Sequence, residues 1–281
     1  MNDINRIIKL KTDFLREKGV EVSEFEVKLL LADVLGVEVG NLRFYNQRLS
    51  NLQSEKFEKM IDMRAAHKPV DKILGYKAFY KHDFIVSEDV LSPRQDTEIL
   101  IEETLKVLPN NKPVKMLEFG VGSGCIIISL LDEIKNATGI GADISEKALN
   151  ICKKNAERVG VANRLKLVET SWFDCQISDN DFDLIISNPP YIPSDDIISL
   201  DDEVKNFDPL IALDGGKDGL RDYRQIAKIA YKMLKNGGFL VFEAGVNQAG
   251  DIVKIAKENG FDFCLIARDL GDIERCIILK K

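Results

Sequence analysis

From Val114 to Leu279, short apolar runs alternate with longer segments in helical spacing, and this alternation restricts the possible folds more than any other feature. The runs predict strands at Val114–Phe119, Thr138–Ala142, Leu165–Glu169, Phe182–Ser187, Phe239–Ala244, Phe261–Ala267 and Cys276–Leu279. Helices are expected over roughly 124–134, 145–159, 220–235 and 247–259. Strands separated by helices pair in parallel, with helices covering both faces of the sheet. No helical segment separates the sixth run from the seventh. A terminal hairpin is therefore expected, with one antiparallel strand.

The preceding part of the chain reads differently. From Asn2 to about Ala66 the spacing is helical: Ile7, Ile8, Leu10, Phe14 and Leu15 share one face. Ser23 with Glu26 forms a capping box ahead of Val27–Leu35, and Gly36 ends that helix. A short helix begins at Asn41-Leu42, and Phe57, Met60, Ile61 and Met63 mark a last one. Pro69 and Gly75 then break helical character, and Ala78–Val86 reads as a hairpin. Pro93 precedes a helix from about Thr97 to Val107, and Pro109 to Pro113 is a loop. The expected organisation is a helical domain over 1–74, a hairpin linker over 75–93 and a sheet domain over 94–281. A chain of 281 residues suits two unequal domains, and a 45% hydrophobic composition supplies their cores.

Composition excludes several function classes. The net charge is −7, with 13 basic against 12 acidic residues over 1–75 and 26 against 34 over the remainder. An acidic sheet domain disfavours direct nucleic-acid binding, which needs a basic surface, and could suit a basic protein partner. Ordinary solubility explains the same imbalance more simply. Five cysteines (Cys125, Cys152, Cys175, Cys264, Cys276) stand apart and never as C-x-x-C, so no metal site is expected. The only histidines, His67 and His82, fall outside the motif region and read as exposed surface residues. No run is long enough for a membrane helix, and Met1–Arg6 shows no secretory signal. A reducing, cytoplasmic location is the expectation, with no membrane partner and a monomeric state.

Two motifs carry the chemistry. Glu118-Phe119-Gly120-Val121-Gly122-Ser123-Gly124 is a glycine-rich turn between the first strand and a helix, where a ligand can approach the backbone closely. Its G-x-G-x-G spacing lacks the third glycine of the dinucleotide fingerprint, which would fall at Cys125. Asp143 ends the next strand, about 20 residues on, where a carboxylate accepts from ribose hydroxyls. Ser145 is the better cap for the following helix, which leaves Asp143 available to a ligand. The second motif, Asn188-Pro189-Pro190-Tyr191, ends the fourth strand. Two prolines remove backbone donors and leave carbonyls as acceptors. With the Asn188 side-chain oxygen, they can face a planar NH2 group on which Tyr191 and Pro190 stack. Trp172, the only tryptophan, follows the third strand at the same rim and reads as an aromatic wall there rather than a core anchor.

Together these motifs resemble class I S-adenosylmethionine-dependent methyltransferases that modify a nitrogen on a planar amide or amine. Further stretches resemble one family within that class, the HemK/PrmC peptide chain release factor glutamine methyltransferases: Val90–Glu98, Ala212–Leu220 with Tyr223, Gly237-Gly238 with Glu243, Gly245 and Gln248, and Asp269-Leu270 with Arg275. The likeness runs from about residue 64 onward and is weak before that. Glu118 stands where the family usually has Asp, Val121 where it has a small hydroxyl residue, and Ser92, Gln95 and Asp71-Lys72-Ile73 also depart from its pattern.

The resemblance implies a Rossmann-like, seven-stranded, mostly parallel sheet with an N-terminal helical bundle that recognises the substrate. It implies S-adenosyl-L-methionine as cofactor, S-adenosyl-L-homocysteine as product and no metal. Glu118, Gly120, Val121, Gly122, Ser123, Gly124, Asp143, Trp172 and Asn188 would bind the cofactor, with Trp172 beside the adenine. Asn188, Pro189, Pro190 and Tyr191 would hold the substrate, with Asn188, Pro189 and Tyr191 as catalytic residues. The implied substrate is the glutamine of the Gly-Gly-Gln loop of class I release factors, a modification in translation termination. The exocyclic amine of adenine in DNA or RNA presents the same planar NH2 and remains the alternative. A nicotinamide dehydrogenase lacks its third glycine here, and an inactive cofactor-binding adaptor would not need Asn188 and Asp143.

Overall fold

The computed structural model describes residues 3–109 and 112–281. The expected helix start at Asn2, the Met1-Asn2 part of the signal reading and the centre of the expected 109–113 loop lie outside them. In chain order the helices and strands are α1 (Asp3–Glu17), α2 (Glu24–Leu35), α3 (Asn51–Ala65), α4 (Val70–Leu74), β1 (Tyr76–Phe79), β2 (His82–Ile85), α5 (Glu98–Val107), β3 (Val114–Phe119), α6 (Cys125–Glu133) and β4 (Ala137–Asp143). There follow α7 (Glu146–Val159), β5 (Leu165–Glu169), β6 (Phe182–Ser187), α8 (Asp202–Phe207), α9 (Arg221–Met233), β7 (Leu234–Glu243), α10 (Ala249–Glu258), β8 (Asp262–Arg268) and β9 (Glu274–Lys280). The chain divides into two compact units, residues 1–76 with 201–207, and residues 77–200 with 208–281.

The first unit is helical. Ile4, Ile8 and Leu15 of α1 meet Val27, Leu30 and Leu31 of α2 and Phe57, Met60 and Ile61 of α3 in one apolar core. The Ser23–Glu26 capping box starts α2, and a second, Ser50 with Gln53, starts α3. Met63, expected on the apolar face of α3, is exposed. The Pro69–Gly75 stretch, expected to be non-helical, holds the single turn α4. Pro69 precedes its first residue and Gly75, at φ +81°, closes it. Arg64 of α3 is buried and pairs with Glu26 at 3.0 Å and with Glu203 of α8 at 2.6 Å. Helix α8 had no clear signal in the sequence, and these carboxylate–guanidinium contacts tie it to α3.

The second unit contains the sheet. Phe79 and Phe84 of the β1–β2 hairpin meet edge to face at 5.9 Å and are buried with α5 and α6 residues. The hairpin is thus a packed part of this unit rather than a separate linker. Among the described residues, seven strands form one sheet in the order β5-β4-β3-β6-β7-β9-β8, parallel except for β9. Alternate residues of β3 face opposite layers. Val114 and Met116 pack with α5, α6 and α7, while Leu117 and Phe119 pack with α9 and α10. This is the class I methyltransferase fold, built as a central sheet covered on both sides. Strand β7 begins directly after α9 at Leu234, five residues before the expected start, so Gly237-Gly238 lie within the strand. A Cβ on Gly238 would stand 2.9 Å from the Phe182 carbonyl oxygen, which restricts this position to glycine.

Both histidines are half-buried, contrary to the expectation of exposure. His82 Nε2 lies 2.9 Å from Asp132 Oδ2, and His67 takes φ +62° just past the end of α3. Among the described residues, no helix is long and apolar enough to cross a membrane.

Candidate active site

Strand order reverses at β3 and β6, which lie side by side although β4 and β5 separate them in sequence. Open α/β sheets bind ligands at the carboxyl ends of strands at such a reversal. Phe119 pairs with Ser187, and the Ser187 hydroxyl donates to the Phe119 carbonyl at 2.8 Å. The residues that follow each, Gly120 and Asn188, therefore leave the sheet together. Both line a cavity of about 260 Å³.

The wall after β3 is shaped by its glycines. Gly120, Gly122 and Gly124 take φ of +71°, +52° and +83°, a region that side chains disfavour. Asp143, at the end of β4, holds this turn. Its Oδ2 accepts from the Gly122 N–H at 2.9 Å and its Oδ1 from the Ser145 N–H at 2.9 Å. Ser145 caps α7 through Ala148, as expected. Asp143 is nevertheless not left free, since each oxygen already accepts a backbone amide. Its pKa is raised by burial, which those amides partly offset. Glu118 is also buried, and its carboxylate accepts from the Ile127 N–H at 3.0 Å near the start of α6. Burial pushes its carboxyl well above the usual range, opposed by that hydrogen bond, and the nearby Asp143 charge pushes it further up.

Glu118, Gly120, Val121, Gly122, Ser123, Asp143, Trp172, Asn188 and Pro190 all line the cavity. The half-buried Trp172 donates from Nε1 to Asp222 at 2.9 Å, and a Cβ on Gly120 would sit 3.6 Å from its ring. Gly124, expected to contact the cofactor, is not part of the wall. A Cβ there would fall 2.5 Å from Cys152 Sγ and 2.6 Å from Ile128 Cδ1, so its role is to let α6 and α7 pack closely.

Pro189 and Tyr191 are also absent from the cavity lining. The segment they belong to is wedged between two glycine-containing loops. A Cβ on Gly215 would lie 2.7 Å from the Pro190 carbonyl oxygen, and one on Gly219 would collide with the Tyr191 carbonyl oxygen. Gln248 donates to that Tyr191 carbonyl at 2.9 Å, and a Cβ on Gly245 would lie 2.9 Å from the Tyr191 ring. The Tyr191 phenol is pushed up to about 12, first by burial and then by the Glu243 charge. It stays protonated at neutral pH and is no base.

Three residues that sequence reasoning left without a role complete the site. Arg94 and Thr97 line the cavity, and Arg94 donates to Asp208 at 2.9 Å. Glu243 adjoins Asn188 across the ends of β6 and β7 and is fully buried, accepting from the Thr97 hydroxyl at 2.6 Å, while the Asn188 side chain favours its ionised form. The family-like stretches around Val90–Glu98 and Gly237–Gln248 contain these residues. No spacing rule in one sequence joins a strand-end glutamate to an asparagine 55 positions earlier.

Residues 110–261 match a family model described as a methyltransferase domain, and residues 7–75 one described as a PrmC N-terminal domain. A release factor glutamine methyltransferase of Geobacter sulfurreducens is 38% identical over 98% of this chain and 95% of its own length. The chain belongs to the release factor glutamine methyltransferase family. Another relative of this methyltransferase, a bifunctional methyltransferase of Rickettsia prowazekii, is 35% identical over 98% of the chain, which spans only 56% of that longer protein. Among solved structures, a methyltransferase from Pyrococcus furiosus superposes with a TM-score of 0.50 at 16% identity, covering 80% of this chain and 97% of its own. At that identity the likeness concerns the fold. Membership of a methyltransferase family implies S-adenosylmethionine as methyl donor.

Proposed function

We propose that this enzyme transfers a methyl group from S-adenosylmethionine to the side-chain amide nitrogen of the glutamine in the Gly-Gly-Gln loop of class I release factors. The observation that carries this reading is the exit of Asn188-Pro189-Pro190-Tyr191 beside the glycine turn, at one cavity, in a chain so similar to release factor glutamine methyltransferases.

The residues present suit the cofactor. Gly120 and Gly122 leave the backbone open, the Asp143 oxygens keep a second lone pair each for hydroxyl groups, Glu118 presents a carboxyl whose ionised form an ammonium group would favour against burial, and Trp172 with Ile144 offers apolar surface to a base. When bound, S-adenosylmethionine supplies an electrophilic methyl group on a sulfonium centre. Gly124 supports the turn from behind.

The chain's remaining task is to make an amide nitrogen reactive. Its lone pair is delocalised into the carbonyl, so orientation matters more than a strong base. The Asn188 Oδ1 on the cavity wall accepts one N–H bond and aims the lone pair, and Pro190 on the same wall packs on the amide plane; the Pro189 carbonyl and the Tyr191 ring, which lie outside that lining, would join them as second acceptor and stacking face only when a seated substrate shifts the segment. Alignment of this kind lowers a barrier by roughly 7–11 kcal/mol at the best-oriented limit. After transfer, one N–H proton leaves to water through these acceptors. The helical unit contacts the protein substrate, S-adenosylhomocysteine is the product, and no metal takes part.

The direct test is label transfer from S-adenosylmethionine to a purified class I release factor and, in parallel, to an adenine-containing duplex. Label on the glutamine of the release factor is expected. Label on the duplex alone would overturn the substrate reading and leave adenine in its place.

A further inference from the structure

We infer that Glu243 is a positioning residue that sets which end of the Asn188 amide faces the substrate. The inference rests on the reading above, in which Asn188 accepts from a substrate NH2 group.

Ser187 of β6 pairs with Phe242 of β7, so Asn188 and Glu243 are the next residues at two adjoining strand ends. Glu243 is 2% exposed and does not line the cavity, so it meets the site only through its neighbours. An ionised carboxylate is an acceptor only. It already accepts from the Thr97 hydroxyl at 2.6 Å, and the register sets the Asn188 side chain beside it as the next available donor, which favours the ionised form. The Asn188 amide must therefore turn its NH2 toward Glu243. Its oxygen is then presented on the other side, toward the cavity that Asn188 lines.

The opposite orientation would aim an NH2 donor at a substrate NH2, so two donors would meet and the methyl acceptor would be repelled. Asparagine alone does not discriminate between the two orientations, since its ends have nearly the same shape. Glu243 supplies the discrimination, and its own backbone is fixed by the Tyr223 hydroxyl, which donates to the Glu243 carbonyl oxygen at 2.7 Å.

Protonation would remove that discrimination, because a carboxylic acid can donate to the Asn188 oxygen. Burial pushes Glu243 up to about 7, and the hydrogen bonds from Thr97 and Asn188 and the Arg275 charge hold it from rising further. The groups facing it are Asp96 and Thr97 ahead of α5, Asn188 and Tyr191 after β6, Arg275 and Cys276 on β9, Cys125 on α6 and Tyr223 on α9. Arg275 favours the ionised form, while Asp96 and burial oppose it.

Steady-state methylation of a release factor should be measured from pH 5.5 to 9 at saturating cofactor for the parent enzyme, Glu243→Gln and Glu243→Leu, with S-adenosylmethionine affinity by calorimetry. Gln can still accept from Asn188 and donate to Thr97, whereas Leu can do neither. The expected result is a kcat loss on the order of 10²-fold in Glu243→Leu, as for other small misplacements of reacting groups. Glu243→Gln should retain clearly more activity, and cofactor Kd should change by less than about twofold in either variant. The parent kcat should fall as pH drops through about 7, and Glu243→Gln should lack this limb. A Glu243→Leu enzyme with near-parental kcat, or an acid limb unchanged in Glu243→Gln, would overturn the inference. If Glu243→Leu fails to fold, the comparison of parent with Glu243→Gln still decides. If the release factor proves not to be the substrate, the Asn188 side-chain amide resonances of the free protein provide the readout. They should titrate near pH 7 in the parent and not in Glu243→Gln, and equal behaviour in both would reject the coupling.

Discussion

Single side chains at this site act through the backbone groups they hold. Asp143 shows this most directly: its carboxylate spans the Gly122 and Ser145 amides and so sets the shape of the turn. Asp143→Ala should weaken S-adenosylmethionine binding by about 1.5–3 kcal/mol, roughly ten- to a hundredfold in Kd by calorimetry, because buried amides lose a charged acceptor. Asn188→Ala should behave in the opposite way. Cofactor affinity should be nearly unchanged while kcat falls by about 10²-fold or more, since the acceptor for the reacting group is lost while the glycine turn keeps the hydrogen bonds that hold its shape. A variant with normal turnover would remove Asn188 from the mechanism. At this scale the sequence was only partly legible. Gly120, Gly122, Asp143 and Asn188 announce themselves because strand ends followed by glycine, Asp or Asn-Pro-Pro have few other uses. Gly124 looks identical to its neighbours in sequence, yet it serves the packing of Cys152 and Ile128. Glu243 was opaque because its partners are brought together by strand pairing, which a linear pattern does not contain.

Between elements, the decisive arrangement is the clamp on the segment after β6. Loops at Gly215–Gly219 and Gly245–Gln248 approach Pro190 and Tyr191 so closely that a methyl group at either glycine bend has no room. Gly219 also takes φ +70°. Gly219→Ala should therefore displace the Tyr191 carbonyl, lower kcat by tenfold or more and leave cofactor affinity near the parental value, an outcome that paired kinetics and calorimetry would check. If Gly219→Ala turned over normally, the clamp would be irrelevant to catalysis. The alternation of strands and helices was readable because buried parallel strands are apolar at most positions, as Leu184-Ile185-Ile186 of β6 shows. Short helices were not. Helix α8 has six residues and α4 five, too few for a periodic face to stand out. The early start of β7 escaped notice because Lys235-Asn236-Gly237-Gly238 has the composition of a turn.

For the molecule as a whole, the buried carboxyls set how stability responds to pH. Glu243 goes from an ordinary value of 4.5 when unfolded to about 7 when folded, so between these values the native state holds the proton more tightly. Stability from this group is present below about pH 4.5 and is lost as pH rises through about 7. Each unit of such a shift corresponds to ~1.4 kcal/mol. Glu243→Gln should thus gain in stability over the parent between pH 5 and pH 8, by on the order of 5 °C in Tm. A difference independent of pH would mean that Glu243 is ionised in the folded state throughout that range. The pH range in which the parent enzyme is expected to be most active is therefore the one in which this group stabilises it least. The grouping of 201–207 with residues 1–76 bears on how such a gene can be divided. A polypeptide ending at residue 76 would leave the Arg64 guanidinium without its Glu203 partner, and one beginning at 77 would carry α8 as an orphaned turn. Recombination between relatives at residue 76 would thus inherit a mismatched pair unless both seams were exchanged together, so natural chimaeras should respect this discontinuous boundary.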